Sequence, residues 1–359
     1  MTVDEFGTVD EFGLIGRYFT RPVRHTALGV GDDAALIDPT PGCQTVVATD
    51  MLVEGVHFFA DADPRGLGHK ALAVNLSDLA AMGAQPRHAL LGIALPAVDE
   101  AWLAPFADGF AALAERYGVD WVGGDTTRGP LNLCVTVLGE VPRGTALLRS
   151  GARPGDDIWV SGAPGLAALG LAHLRGECVL AGGARDAALA RLHTPEPRVA
   201  LGFALRGIAS ACIDVSDGLL ADLGHVLRAS GAEAGTAAGG AMPLSAELEW
   251  GAVAAPLTDL LPQAGDALLR DAVLAGGDDY ELLFTAPVSR RAEVATLTAS
   301  VGMASTRIGR VGAAAPITGS DAAAAAVVGA GPAIADPVIT LIEVNRRTQL
   351  GPRGYRHFG

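Results

Sequence analysis

Six short acidic segments punctuate this chain, most of them beside glycine, and they restrict its fold and chemistry more than any other feature. They are Gly31-Asp32-Asp33, Thr49-Asp50, Asn75-Leu76-Ser77-Asp78, Gly123-Gly124-Asp125-Thr126-Thr127-Arg128, Asp214-Val215-Ser216-Asp217-Gly218 and Gly276-Gly277-Asp278-Asp279. Between them run apolar stretches of strand and helix length, so the acids are expected at strand ends and helix starts. A single surface aspartate is ordinarily just solvated. Recurrence against glycine is different, because glycine lets backbone and ligand approach closely. Carboxylates gathered together repel one another unless a divalent ion neutralises them. Oxygen ligands of this kind suit magnesium or calcium better than zinc or copper.

Composition narrows the partners. The chain has 359 residues, half of them hydrophobic and 18% charged, which excludes disorder as its main state. That length is comfortable for two domains. A net charge of −14 argues against nucleic acid and anionic membranes as partners. A phosphorylated small molecule stays open, since metal ions bridge acidic side chains to phosphate oxygens. Cys43, Cys134, Cys178 and Cys212 are widely spaced and form no C-x-x-C pair, so neither a zinc site nor a disulfide framework is indicated. No leader-like basic and apolar start is visible, and the longest apolar run, 322–335, is short of the ~20 residues of a bilayer span. The expectation is a soluble cytoplasmic protein.

The hexapeptide T-V-D-E-F-G occurs at 2–7 and again at 8–13, where Thr8 and Glu11 offer a capping box for a helix to about Phe19. Spacing predicts strands at 45–49, 87–95, 119–122 and 131–141, and helices at 67–82 and 100–117. The segment Ser150–Gly155 is a turn-rich seam. Beyond it, strands are expected at 157–161, 212–215, 280–285 and 307–311, and helices at 164–174, 184–193, 196–209, 218–229 and 288–299. Alternation in both halves predicts an α/β protein with mixed sheets, divided into residues 1–148 and 149–359.

Lys70 is the single lysine, which excludes a P-loop lysine and the protein-kinase strand lysine. It reads as a helix-surface residue. If the chain handles ATP, metal ions and arginines such as Arg128 or Arg149 must meet the phosphates. Gly29-Val30-Gly31-Asp32-Asp33-Ala34 fits a dinucleotide-binding pattern, but the turn at Asp38–Gly42 leaves no room for the helix that must follow. His57 closes the strand-to-loop segment after Asp50, whereas His173, His193 and His225 read as structural.

The segments G-V-G-D-D-A-A-L (29–36), A-T-D-M-L-V-E-G-V-H-F (48–58), K-A-L-A-V-N-L-S-D-L-A-A-M-G-A (70–84), G-G-D-T-T-R-G (123–129), R-S-G-A-R-P-G-D (149–156), I-D-V-S-D-G-L (213–219) and G-G-D-D-Y-E-L (276–282) closely resemble the thiamine-monophosphate kinase family. That family lies within the aminoimidazole ribonucleotide synthetase superfamily. The resemblance implies the two-domain fold of that superfamily, with residues 1–148 binding ATP and metal and forming a homodimer, and residues 149–359 completing the active-site cleft. It implies magnesium ligation by Asp33, Thr49, Asp50, Asp78, Asp125, Asp214 and Asp217. Gly124, Asp125, Arg149 and Ser216 match ATP-contacting positions; His57 and Asp278 match substrate-contacting ones. The chain departs from the pattern at Ala48 (usually serine), at Asp278 (usually glutamate) and near Pro352, where an aromatic residue is usual and Tyr355 is the partial substitute. The implied reaction is phosphorylation of thiamine monophosphate by ATP, metal-assisted and without a side-chain base. The alternatives are another ATP-dependent enzyme of the superfamily, such as aminoimidazole ribonucleotide synthetase, or a non-catalytic nucleotide- or cation-binding regulator. Selenophosphate synthetase and the hydrogenase-maturation relative are disfavoured, since neither an early nor a C-terminal cysteine is present.

Overall fold

The computed structural model describes residues 11–238, 243–313, 337–344 and 346–355. These divide into two compact units, the first holding the described chain to Ala80, Ala84–Ala146 and His193–Val199, the second the remainder. The capping box at Thr8 and the apolar run 322–335 lie outside the described residues, as does the first hexapeptide.

The first unit carries β1 (Cys43–Val53), β2 (Gln85–Leu95), β3 (Asp120–Arg128) and β4 (Asn132–Pro142) in the order β1-β4-β2-β3. β2 and β3 run parallel, joined through the helix Glu100–Tyr117, and the other pairs are antiparallel. Strict alternation of buried and accessible residues along β4 shows one face turned to the core. The helix Glu100–Tyr117 begins at Asp99, whose carboxylate accepts the Ala101 N–H, and ends at left-handed Gly118. It packs against the helix Pro64–Ala81 without side chains between the backbones: a Cβ on Gly109 would lie 2.0 Å from the Arg65 carbonyl oxygen. Phe106 and Phe110, both fully buried, fill the space beside that crossing.

The second unit is built on β5 (Asp157–Ser161), β6 (Ala211–Val215), β7 (Leu244–Glu249), β8 (Glu281–Ala286), β9 (Ser305–Ala313), β10 (Val338–Glu343) and β11 (Arg346–Leu350), ordered β11-β10-β7-β9-β5-β8-β6. Only β7 and β10 pair in parallel. Every residue of β5, β6 and β8 is buried, including one acid in each, Asp157, Asp214 and Glu281. Helix Asp266–Ala275 packs on both Leu166–Leu174 and Leu219–Ala238, and with the sheet the three enclose a core around Ile158, Leu169, Ile213, Leu223 and Leu283.

Both sheets are mixed, as expected, but several expectations need correction. β1 runs on through Asp50 to Val53 and β3 continues through Gly123-Gly124 to Arg128, so both acids sit inside strands rather than at their ends. β1 and β3 are the edge strands of their sheet, and an edge tolerates glycine and aspartate that a central strand does not. Lys70 is buried at 4% exposure rather than on the helix surface. The helix expected over 196–209 covers only Val199–Leu205.

Candidate active site

In the first unit, Thr49 and Asp50 lie on β1, with Thr49 Oγ1 2.8 Å from Thr136 Oγ1 of β4. The Asp50 backbone N–H donates to Asn75 Oδ1 (3.0 Å), and Asn75 Nδ2 donates to the Ala71 carbonyl within the helix Pro64–Ala81. Asp78 follows Asn75 at i+3, on the same helical face. Between residues 71 and 80 it is the one side chain that is not buried. Asn75 therefore docks the helix onto the strand, and Asp50 and Asp78 are placed by that dock.

Asp125 stands on the opposite edge. Across the sheet its row runs Asp125, Gly92, Cys134, Met51, one residue from Asp50. Three strand spacings separate the two edges, on the order of 14 Å along the sheet. Preceding Asp125, Gly124 has φ +152°, and a Cβ there would fall 1.8 Å from the Leu91 carbonyl oxygen. Only glycine fits, and both residues are exposed. Asp33 is exposed in an irregular loop, and no helix follows it before β1, which removes the dinucleotide reading. His57 accepts the Val53 N–H on Nδ1 (3.0 Å), so the hydrogen of the neutral ring sits on Nε2, a donor.

The second unit gathers its residues more tightly. β6 carries buried Asp214 next to its last residue, Val215, and is followed by the loop Ser216-Asp217-Gly218 and the helix Leu219–Ala238. Two other segments bond to this loop. The Asp278 N–H donates to the Ser216 carbonyl (2.9 Å) and the Tyr280 N–H to that of Val215 (2.8 Å), while the Tyr355 N–H donates to the Asp217 carbonyl (2.9 Å). Asp214, Ser216, Asp217, Asp278 and Tyr355 are thus brought to one place. Tyr355 is 47% exposed there. Arg149, exposed, lies close enough to His225 to depress its pKa: burial acts first, then Arg228 and Arg149, with Asp217 opposing.

Two buried carboxylates hold these loops, and the motifs did not single out either role. Asp222 accepts the backbone N–H groups of Ser216, Asp217 and Gly218 at 3.1–3.2 Å. Burial, and then the neighbouring Asp214 and Asp217, push its pKa up to about 8. Its position in the first turn of a helix is the signal that could have found it. Asp279, fully buried, accepts the N–H groups of Gly165 (2.5 Å) and Ala167 (3.3 Å) at the start of the helix Leu166–Leu174, and burial raises its pKa. On either side of it, Asp278 and Tyr280 are, among the described residues, the two non-glycine residues with positive φ, +67° and +51°. Each such conformation costs of order 1–3 kcal/mol, so the surroundings must enforce it. The Tyr280 hydroxyl donates to Asp278 Oδ1 (3.1 Å), fixing the carboxylate's direction.

Residues 31–141 match the family described as AIR synthase related protein, N-terminal domain. Within it, the chain is 44% identical over 315 residues to the thiamine-monophosphate kinase of Salmonella typhimurium, covering 84% of this chain and 90% of that relative. A crystal structure of thiamine-monophosphate kinase from Stenotrophomonas maltophilia K279a superposes with a TM-score of 0.73 at 42% identity, over 88% of this chain and 96% of that one. The structure described as AaThiL complexed with AMPPCP and TMP gives 0.69 at 27% identity, over 100% and 99%. This chain belongs to the thiamine-monophosphate kinase family.

Proposed function

We propose that this chain transfers the terminal phosphoryl group of ATP to the phosphate of thiamine monophosphate, giving ADP and thiamine diphosphate. The observation that carries the reading is the 44% identity to a named thiamine-monophosphate kinase across 84% of the chain. The loop cluster around Asp217 supports it, because Asp278 and Tyr355 are hydrogen-bonded to the loop that carries Ser216.

Magnesium fits the residues present. The donors are all oxygen, and after burial, the main cause, the charges of Asp214 and Asp217 add to the rise in the Asp222 pKa, so further positive charge is welcome there. Asp33, Thr49, Asp50, Asp78 and Asp125 in the first unit, with Asp214 and Asp217 in the second, are the proposed ligands. Asp50 and Asp125 lie too far apart along their sheet to share one ion with ligand bonds of ~2.1 Å, which favours several ions. When bound, magnesium would screen the repulsion between two polyanions and orient the reacting oxygens.

The chain's own part is binding and orientation. Gly124 leaves backbone open to a phosphate; Arg149 offers a bidentate guanidinium, and Ser216 a hydroxyl. His57 offers an Nε2–H and Asp278 a carboxylate as the proposed substrate contacts. The acceptor phosphate, with a second pKa near ~6, is already ionised at neutral pH, so no side-chain base is needed. Transfer is then direct and in line, without a phosphoenzyme. A homodimer belongs to the proposal: edge strand β1 exposes Val47 at 61% and Met51 at 53%, an unpaired apolar edge suited to a second copy. So does a cytoplasmic setting, in keeping with four free cysteines. Among the described residues no helix is long and apolar enough to cross a membrane.

The test is ADP release measured with purified protein, magnesium and ATP. Thiamine monophosphate should elicit turnover and aminoimidazole ribonucleotide precursors should not. ATP binding without turnover on any acceptor would favour the regulator instead.

A further inference from the structure

At the far end of β3 from Asp125, a second group of ligating side chains plays no part in the reaction just described. His88 of β2 and Asp120 of β3 are register partners in the parallel pair, and the segment Arg24–Thr26 is hydrogen-bonded to Asp120. One ligating atom from each of His25, His88 and Asp120 lies within 4.8 Å of the others. Asp120 is five residues along the strand from Asp125, about 17 Å.

Asp120 is prepared as a ligand. Asp120, 2% exposed, accepts the N–H groups of Arg24 and His25 (both 2.9 Å) and the Thr26 hydroxyl (2.6 Å). Burial works against its ionisation, but those three hydrogen bonds outweigh it and hold the carboxyl below the usual range. Three of its roughly four lone-pair sites are used, leaving one on Oδ1. His25 Nε2 donates to the Arg87 carbonyl oxygen (2.7 Å) and lies 3.6 Å from Asp120 Oδ2, so it is the ring nitrogen turned to this group and would exchange the carbonyl for the ion. Arg87 is displaced by the irregularity between Pro86 and His88 in the pairing of β2 with β4.

His88 supplies the independent observation. It is 4% exposed, and its Nε2 is buried with no hydrogen-bond partner among the described residues. A buried ring nitrogen left unpaired is destabilising. Burial and the nearby His25 keep the imidazole neutral, the form that binds metal. The two rings meet edge to face with centroids 5.0 Å apart.

We propose that His25, His88 and Asp120 form a site for a late first-row divalent cation of the zinc class, separate from the magnesium sites. Two imidazole nitrogens and one carboxylate oxygen form a mixed set that selects zinc or cobalt over magnesium. The ion would tie the segment Arg24–Thr26 to the starts of β2 and β3 and give the third ligand position the partner that His88 lacks. Its role is structural.

The test titrates the chelator-treated full chain with Zn²⁺ in excess Mg²⁺, by calorimetry, and with Co²⁺, by visible absorption. The wild type should bind one tight equivalent of Zn²⁺, rise in Tm with it, and give the intense bands of four-coordinate Co²⁺. H25Q and H88Q, checked by circular dichroism, should each bind that equivalent at least about 100-fold more weakly, with ADP formation unchanged. Wild-type protein showing no Zn²⁺ uptake in excess Mg²⁺, or no Co²⁺ bands, overturns the proposal whether or not the variants fold. So does uptake that both variants retain.

Discussion

Asp50 and Asp125 owe their positions to strand register and Asp78 to its helical spacing from Asn75, whereas Asp217 and Asp278 are placed by loops that bond to each other. In the first unit the strand and helix geometry would carry the acids even if one contact failed. The second unit relies on two buried carboxylates, Asp222 and Asp279, and on residues held at positive φ. The difference teaches where each half is vulnerable. Damage to the first should stay local to the substituted side chain, and damage to the second should spread through its loop.

The largest effects come from removing proposed ligands directly. D50N and D217N should each lower kcat/KM by about 10²–10³-fold, the range seen when one preorganised electrostatic contact is lost, with unchanged circular dichroism. A loss confined to one of them would break the symmetry assumed between the units. Next is the contrast in supports. D222A strands three loop N–H groups, so it should cost about 2–3 kcal/mol in urea denaturation and reduce activity by about 100-fold. Asn75→Ala removes a single dock and should cost only ~1 kcal/mol, with activity down by about 10-fold. Equal effects of these two variants would erase the comparison.

Smaller, and more specific, is D279N. The altered cap should let Asp278 turn, raising KM for thiamine monophosphate by about 10-fold while KM for ATP holds. Steady-state kinetics with each substrate varied separates this from a merely structural loss, which would lower Tm and leave KM alone. The smallest effect is on acid stability. In the folded protein the His88 pKa is lowered from 6.5, chiefly by burial, so the neutral ring is favoured. Its contribution is complete above pH 6.5 and is lost as pH falls below it, because the unfolded chain then takes up the proton first. In metal-free protein the urea midpoint should therefore fall less steeply with acid for H88Q than for the wild type.

Much of this was legible in the sequence. Glycine-flanked acids marked the Asp214–Asp217 loop and the turn at Asp278, and helical spacing located Asp78. What stayed hidden has physical causes. Asp222 and Asp279 are ordinary first-turn and post-glycine aspartates until burial shows that backbone N–H groups are their partners. Lys70 reads as a surface lysine because a single charge on an apolar helix normally snorkels outward, and only packing reveals it inside. The continuation of β1 through Asp50 is invisible to pattern, since aspartate is a poor strand former that the sheet edge tolerates. His25, His88 and Asp120 are scattered in sequence and become neighbours only through the parallel pairing of β2 and β3.

Phosphorus NMR of a mixture of ATP, thiamine monophosphate, magnesium and the protein tests the proposed chemistry most directly. The account predicts that the monoester signal is replaced by the paired signals of a diphosphate ester, one for each ADP formed, and that chelating the magnesium stops the exchange. Inorganic phosphate appearing in place of the diphosphate ester, or conversion that persists with the metal chelated, would contradict it.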